Sequence, residues 1–218
     1  NHLVIPDTQV KPGVPTKHLE ALGNLIRELQ PKVIIHLGDH WDLPSLSSYD
    51  LRGGKKMEGR RYKADIDAGN KAMDILNEAI HGEAGYYPDL YFLQGNHEHR
   101  QLKAIESDPH RLDGIMSAND FSALKDGGWN TSDYQEVIKV DGVFYSHCFV
   151  NQFTGRPLGG TAHNLLNKLK CSFTQGHVQK FEYAQEYLQN KRTIQGVIAG
   201  AFYMHNEDYK GPQGNHHW

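Results

Sequence analysis

The chain has 218 residues, which is long enough to bury a hydrophobic core without disulfides. Its 23 basic and 26 acidic residues give a net charge of -3, which argues against a protein that is basic as a whole and coats nucleic acid. Two cysteines, the absence of an apolar run of membrane-spanning length and a start unlike a signal peptide predict a cytoplasmic protein with no membrane segment.

The first half of the chain alternates short apolar runs with helical patterns. Residues 3–5 and 32–37 are predicted strands, and leucines and an isoleucine recur at helical spacing over 16–29. A second helix is predicted over 63–80, and the apolar run 90–93 is a predicted strand. Strands that alternate with helices indicate a largely parallel sheet.

The second half indicates antiparallel pairing. Asp141-Gly142 is a two-residue turn signal between apolar runs at 137–140 and 143–146, and it predicts a hairpin. Further elements are a predicted helix at 162–169 and predicted strands at 172–175, 182–188 and 193–199. From residue 206 the tail has no periodicity. We therefore predict one α/β domain over 1–218, with a basic insertion at about 50–63 and an irregular tail at 206–218.

Polar clusters follow five of the predicted strands. They occupy residues 7–9, 38–42, 95–98, 147 and 176–179. Because ligands bind at the carboxyl ends of strands in α/β sheets, we expect these clusters to meet in one crevice. Their mixture of carboxylate, amide and imidazole groups suits two divalent cations.

The clusters read D-T-Q, G-D-H-W-D, G-N-H-E, H and G-H-V-Q in chain order. This series resembles the motifs D-x-H, G-D-x-x-D, G-N-H-[DE], H and G-H-x-H of the calcineurin-like metallophosphoesterases, over residues 5 to about 199. The sequence as a whole also resembles the phage or prophage members of this family. The resemblance implies two mixed β-sheets packed as a sandwich and flanked by helices, with the metal site at the carboxyl ends of the strands.

The same resemblance implies a role for each matching residue. Asp39 would bridge two metal ions, and the other metal ligands would be Asp7, Gln9 and Gln179 on the first and Asn96, His147 and His177 on the second. His97 would give a proton to the leaving group and Asp42 would orient His97, while a metal-activated water attacks the phosphorus.

Two positions depart from the family pattern, since Gln9 and Gln179 stand where it has histidine. A glutamine oxygen is a harder and weaker ligand than imidazole. We therefore expect Mn²⁺ as the most favoured metal, with Mg²⁺, Fe, Zn²⁺ and Ni²⁺ as alternatives. The first metal site should be the weaker one.

A third departure concerns substrate binding. Leu43-Pro44 follows G-D-H-W-D, where protein phosphatases of the family carry an arginine. Candidate replacements are Arg100, directly after G-N-H-E-H, and Arg60 and Arg61 in segment 52–63, which has six basic residues and one acidic residue. Such a segment either guides a polyanion such as nucleic acid or is an ordinary solvated charge run.

These observations favour a phosphodiester of DNA, RNA or a nucleotide as the substrate, and therefore a nuclease or phosphodiesterase. One alternative is a phosphatase that acts on phosphomonoesters with the same centre. Another is a binding scaffold of this fold that has lost catalysis. The scaffold is disfavoured because the expected proton donor His97 and most of the ligand set are present.

Overall fold

Four strands form the first sheet, in the order β1 (His2–Ile5), β2 (Val33–His36), β3 (Asp89–Leu93) and β4 (Asn130–Ser132). The computed structural model describes residues 1–50, 54–207 and 210. All pairings in this sheet are parallel, so the prediction of two mixed sheets is wrong for this one. The physical reason is that helical crossovers return the chain to the same end of the sheet before each of its next two strands.

Five strands form the second sheet, which is mixed as predicted. Its order is β5 (Ile138–Val140), β6 (Val143–Ser146), β7 (Phe173–Gln175), β9 (Thr193–Ala199) and β8 (Phe181–Tyr187). The predicted hairpin joins β5 and β6 as an antiparallel pair, and both of its turn residues, Asp141 and Gly142, have positive φ. That backbone geometry is what the two-residue turn requires.

The described ranges contain six helices. They are α1 (Lys17–Leu29), α2 (Tyr62–His81), α3 (His99–Ser107), α4 (Pro109–Leu112), α5 (Ser122–Asp126) and α6 (Ala162–Leu169), with 3₁₀ turns at Pro44–Leu46, Lys55–Met57 and Ala118–Asp120. The predicted helices at 16–29, 63–80 and 162–169 correspond to α1, α2 and α6. No helix in the described ranges has both the length and the apolar character that crossing a membrane requires.

Three apolar clusters define the layers. The largest lies between α1, α2 and the first sheet, and α6 packs on the second sheet through Leu165 and Leu166. The third cluster lies between the sheets, where Ile35 and Leu37 pack near Tyr145. The architecture is thus two β-sheets packed face to face and flanked by helices, and this arrangement leaves the carboxyl ends of β1, β2, β3, β6 and β7 at one edge.

Gly69 lies inside α2 for a packing reason. A Cβ at this position would lie 1.9 Å from Cδ1 of Trp41, whose indole is fully buried. The carbonyl of Gly69 also accepts a hydrogen bond from Nε2 of His40 at 3.0 Å. The missing side chain therefore lets α2 approach the loop that follows β2.

Candidate metal centre

The polar clusters that follow five strands meet in one place, as their positions after the strands predicted. His147, which follows β6, has its Nε2 3.1 Å from Oδ1 of Asn96 and 3.5 Å from Oδ2 of Asp39. Nδ1 of His177, which follows β7, lies 2.8 Å from the same Asn96 oxygen. The main-chain N–H of His177 donates to Oδ1 of Asp7, which follows β1, at 3.1 Å.

The protonation state of His147 makes this cluster rich in lone pairs. Nδ1 of His147 lies 2.7 Å from the carbonyl oxygen of Leu37, and it must carry the proton because a carbonyl only accepts. In the neutral ring Nε2 therefore presents a lone pair to Asp39, Asn96 and His177. The four ligand atoms are Nε2 of His147, Nδ1 of His177, Oδ1 of Asn96 and Oδ2 of Asp39. A proton on His177 can satisfy only some of them, whereas a cation is attracted to all four.

Asp7 supplies an independent sign that a cation belongs here. Its side chain is fully buried, and Oδ2 has no hydrogen-bond partner among the residues that the structure describes. Burial and the neighbouring Asp39 raise the pKa of Asp7 well above its usual value. A buried carboxylate oxygen without a donor is costly unless a cation compensates it.

The electrostatics also keep the imidazole ligands neutral. Burial, reinforced by His147, lowers the pKa of His177 to about 4. Burial likewise lowers the pKa of His147. Burial alone would raise the pKa of Asp39, but His147 and His97 outweigh burial and lower this pKa. Neutral imidazoles beside an ionised carboxylate are the forms that bind metal.

Gln9 and Gln179 lie at the same edge of the sheets, and both side chains are buried. The main-chain N–H of Gln9 donates to the carbonyl of Asp39 at 2.8 Å, and the hydroxyl of Tyr203 donates to Oε1 of Gln179 at 3.1 Å. Asp39, His147 and His177 have ligand atoms close enough to one another to hold one ion. The residues present therefore fit one divalent cation.

Much of the centre has left-handed backbone geometry. Positive φ angles occur at Gln9 (40°), Asp39 (49°), His177 (68°) and Gln179 (56°). Left-handed geometry costs about 1–2 kcal/mol for residues other than glycine. Strain concentrated at these four positions is typical of a functional site, where ligand geometry takes precedence over backbone preference.

His97 and Asp42 form a pair beside the cluster. Nδ1 of His97 lies 2.8 Å from Oδ1 of Asp42, and Nε2 lies 3.8 Å from Oδ2 of Asp39. Burial lowers the pKa of His97, but Asp39 and Asp42 outweigh it and raise the pKa to about 9. Burial disfavours ionisation of Asp42, yet its hydrogen bond with His97 brings the pKa of Asp42 well below the usual value.

Arg100 lies against this pair, as expected of a residue on the first turn of α3. Its Nη1 donates to the carbonyl of Asp42 at 2.7 Å, and its Nη2 lies 3.1 Å from Nε2 of His97. Arginine only donates, so this second contact is a hydrogen bond when Nε2 of His97 carries no proton. Arg100 can therefore stabilise the deprotonated form of His97.

Glu98 has a structural role that sequence reasoning missed. Its buried carboxylate accepts four main-chain hydrogen bonds, from the N–H groups of Asp39, His40, Trp41 and Gly95, at 2.7–2.9 Å. The carboxylate thus holds the loop after β2 against the loop after β3. The G-N-H-E motif singles out Glu98 in the sequence. Its four main-chain partners could not be predicted, because they are brought together only by the fold.

A second missed feature is a bridge from the C-terminal segment. Nζ of Lys11 lies 2.7 Å from Oε2 of Glu207 and 3.2 Å from Oδ2 of Asp42, so it holds the carboxylate that orients His97. Burial disfavours the charge on Lys11, but Asp42 and Glu207 raise its pKa. Glu207 lies in the tail predicted to be irregular, of which 208–209 and 211–218 lie outside the described residues.

An open cavity of about 440 Å³ begins at the cluster. Its basic lining residues are Lys11, Lys56, Arg60, Arg100 and Lys210. The guanidinium of Arg60 is already engaged within the protein, because its Nη1 contacts Asp50 at 2.6 Å and donates to the carbonyl of Pro44 at 2.9 Å. Arg61 is exposed and is not part of the lining, and Arg52 lies outside the described residues. The basic segment thus contributes only part of its charge to the cavity.

Comparison with known proteins gives relatives without a stated activity. No family model matches the chain. The Gene 54 protein of Mycobacterium phage L5 is 29% identical over 140 residues, which cover 63% of this chain and 52% of the phage protein. The Gene 54 protein of Mycobacterium phage D29 is 26% identical over 183 residues, which cover 82% and 68%. The chain thus spans about half the length of the L5 protein that it matches.

One solved crystal structure aligns over 92% of this chain and 90% of its own, with 11% identity and a TM-score of 0.44. A score of that size carries no argument about fold or function. The function is therefore argued from the geometry of the centre.

Proposed function

We propose that the chain is a metal-dependent phosphoesterase of the calcineurin-like type, with a dinuclear centre. The observation that carries this proposal is the convergence of Asp39, Asn96, His147 and His177, with an unpartnered oxygen of Asp7, beside the His97 and Asp42 pair. A set of metal ligands next to a positioned imidazole is what metal-dependent hydrolysis of a phosphate ester requires.

Divalent cations at this centre would polarise an attacking water and offset the charge on the phosphate oxygens. Asp39 would help to hold both ions, and Asn96, His147 and His177 would complete the ligand set of one of them. Asp7, Gln9 and Gln179 would hold the other. We expect Mn²⁺ or Mg²⁺, because Asp7, Gln9 and Gln179 offer no imidazole and hard oxygen ligands suit these ions.

His97 would protonate the leaving oxygen. Asp42 holds Nδ1 of His97, so that Nε2 faces the centre. When Nε2 has given up its proton, Arg100 is in place to donate to it at 3.1 Å. Lys11 fixes the second oxygen of Asp42, which keeps the imidazole in one orientation.

A phosphodiester is the preferred substrate in this proposal. The cavity, of about 440 Å³, is lined by the expected metal ligands Asp39, Asn96 and His177 and also by Tyr49, Lys56 and Lys210. Pockets of this size hold an organic ligand and not only a phosphate group. A phosphodiester substrate, with organic groups on both sides of the phosphorus, would fill this space. A small phosphomonoester would leave much of the cavity to water.

The decisive test is hydrolysis of bis-p-nitrophenyl phosphate and p-nitrophenyl phosphate with Mn²⁺, with Mg²⁺ and with EDTA. We expect metal-dependent turnover that is faster for the diester. His97→Ala should lower turnover by about 10²–10⁴-fold, while His110→Ala, at an exposed position on α4, should not. Mn²⁺ binding measured by calorimetry should survive in both variants.

Two other results would favour the alternatives. Faster turnover of the monoester would indicate a phosphatase. An absence of metal-dependent turnover of both esters would refute the proposal and favour a binding scaffold.

A further inference from the structure

Three large aromatic side chains are exposed on one face of β8, the edge strand of the second sheet. Phe181 is 62% exposed, Tyr183 is 53% exposed and Tyr187 is 78% exposed. Side chains two residues apart point to the same face of a strand, so the three form one row, here called the aromatic row. Contiguous exposed apolar surface of this kind marks an interaction site more often than isolated residues do.

Hydrogen bonds organise the aromatic row. The hydroxyl of Tyr183 donates to Oε1 of Gln185 at 2.8 Å, and Nε2 of Gln185 donates to the hydroxyl of Tyr187 at 2.5 Å. Gln195, opposite Gln185 on β9, donates to the same Oε1 at 3.4 Å. The two tyrosine rings are therefore restrained before any ligand binds, which reduces the entropy lost on binding.

The face that carries the row is uncharged along the strand. Opposite Tyr183 and Tyr187 on β9 lie Val197 and Thr193. The acidic residues of β8 alternate with the row and engage other partners: Glu182 accepts from the main-chain N–H of Ala162 at 2.8 Å. Lys180 precedes the row but is paired with Glu182 at 2.6 Å, whereas Lys191 and Arg192 lie in the turn that follows the row. The basic residues of that turn therefore flank an aromatic and amide surface at the Tyr187 end.

The strand that carries the row begins two residues after the candidate metal centre. Val178 and Gln179 line the cavity, and Phe181 follows two residues later. From Phe181 to Tyr187 the strand extends about 20 Å at its usual rise per residue. A flexible polymer with a phosphate at the metal ligands could therefore extend along β8.

We infer that the aromatic row is a stacking platform for single-stranded nucleic acid and leads it to the metal centre. This inference rests on the proposed function, which supplies the phosphodiester chemistry. Aromatic side chains bind unpaired bases by stacking without strong sequence preference, and neighbouring cations bind the phosphates. Duplex DNA keeps its bases stacked on one another and would gain little from such a row. A protein partner is the competing occupant, but it would not account for a row that begins two residues after the lining of the cavity.

The test measures binding of a fluorescein-labelled 20-nucleotide oligo-dT to the whole chain by fluorescence anisotropy in EDTA, so that no cleavage occurs. Tyr183→Ala and Tyr187→Ala should each weaken binding by roughly tenfold, the usual effect of losing one stacked base. Tyr187→Phe, which keeps the ring, should bind within about twofold of the unmodified chain. Tyr87→Ala is the matched control, because Tyr87 is 89% exposed and lies outside β8.

Turnover of bis-p-nitrophenyl phosphate is measured on the same variants, and it should stay unchanged because that small diester does not reach the row. Unchanged oligonucleotide binding in both alanine variants would overturn the inference and leave the phosphoesterase proposal intact. Loss of self-association in the variants, seen by light scattering, with oligonucleotide binding unchanged would make the row an interface between copies and overturn the inference as well. Row-dependent binding by a chain without turnover would support the platform while refuting the proposed function.

Discussion

Removal of the Glu98 carboxylate should destabilise the fold strongly. In Glu98→Ala the main-chain N–H groups of Asp39, His40, Trp41 and Gly95 lose their acceptor, and Glu98 itself is only 2% exposed. A buried donor left unsatisfied costs about 1–3 kcal/mol. The lower end of that range over four donors gives about 4 kcal/mol. For a chain of this size that corresponds to a fall of about 8–16 °C in Tm.

Glu98→Gln should have about half this effect, because its amide keeps one acceptor oxygen and replaces the other by a donor. Thermal unfolding followed by circular dichroism in EDTA is the appropriate assay, since bound metal would stabilise the folded state by itself. Glu106→Ala, which removes an exposed carboxylate from α3, the helix that Glu98 precedes, is the control and should melt with the unmodified chain. A Glu98→Ala variant that melts within about 3 °C of the unmodified chain would refute this account of the carboxylate.

Three further results are expected. Calorimetric titration with Mn²⁺ should show two unequal steps, because one ligand set has glutamines in place of imidazoles; two equal steps would contradict this expectation. Gly69→Ala should lower the free energy of unfolding by about 2–3 kcal/mol, since its Cβ would overlap Trp41, whereas Gly159→Ala, with open space around the new methyl group, should be neutral in urea denaturation. Lys11→Met should lower kcat for the diester by about tenfold with Mn²⁺ affinity retained, because Asp42 loses a partner that fixes it; an unchanged kcat would remove Lys11 from the positioning network.

Periodicity predicted the long elements well, for a physical reason. The helices at 16–29 and 63–80 are observed as α1 and α2 because their apolar stripes face the first sheet. The elements between residues 94 and 137 were not predicted. There β4 has three residues, all outside the core, and α4 has a single turn, so neither repeats an apolar pattern long enough to detect.

The candidate site was predictable only where its residues follow strands. A polar cluster after a buried strand is a local pattern, and it located Asp39 and His147 correctly at one edge of the sheets. The partner of Lys11 was not predictable, because Glu207 lies 196 residues away in a segment without periodicity. Arg60 shows the opposite problem: its charge predicted a free substrate contact, whereas Asp50 engages its guanidinium.

The left-handed backbone at Gln9, Asp39, His177 and Gln179 has an evolutionary consequence. Glycine at any of these positions would relieve about 1–2 kcal/mol of strain, so selection for stability alone would favour its appearance. The side chains at these four positions are therefore explained by what they do and not by backbone preference. Under the proposed function, a relative with glycine at one of these positions should have a less strained backbone and a weaker metal site.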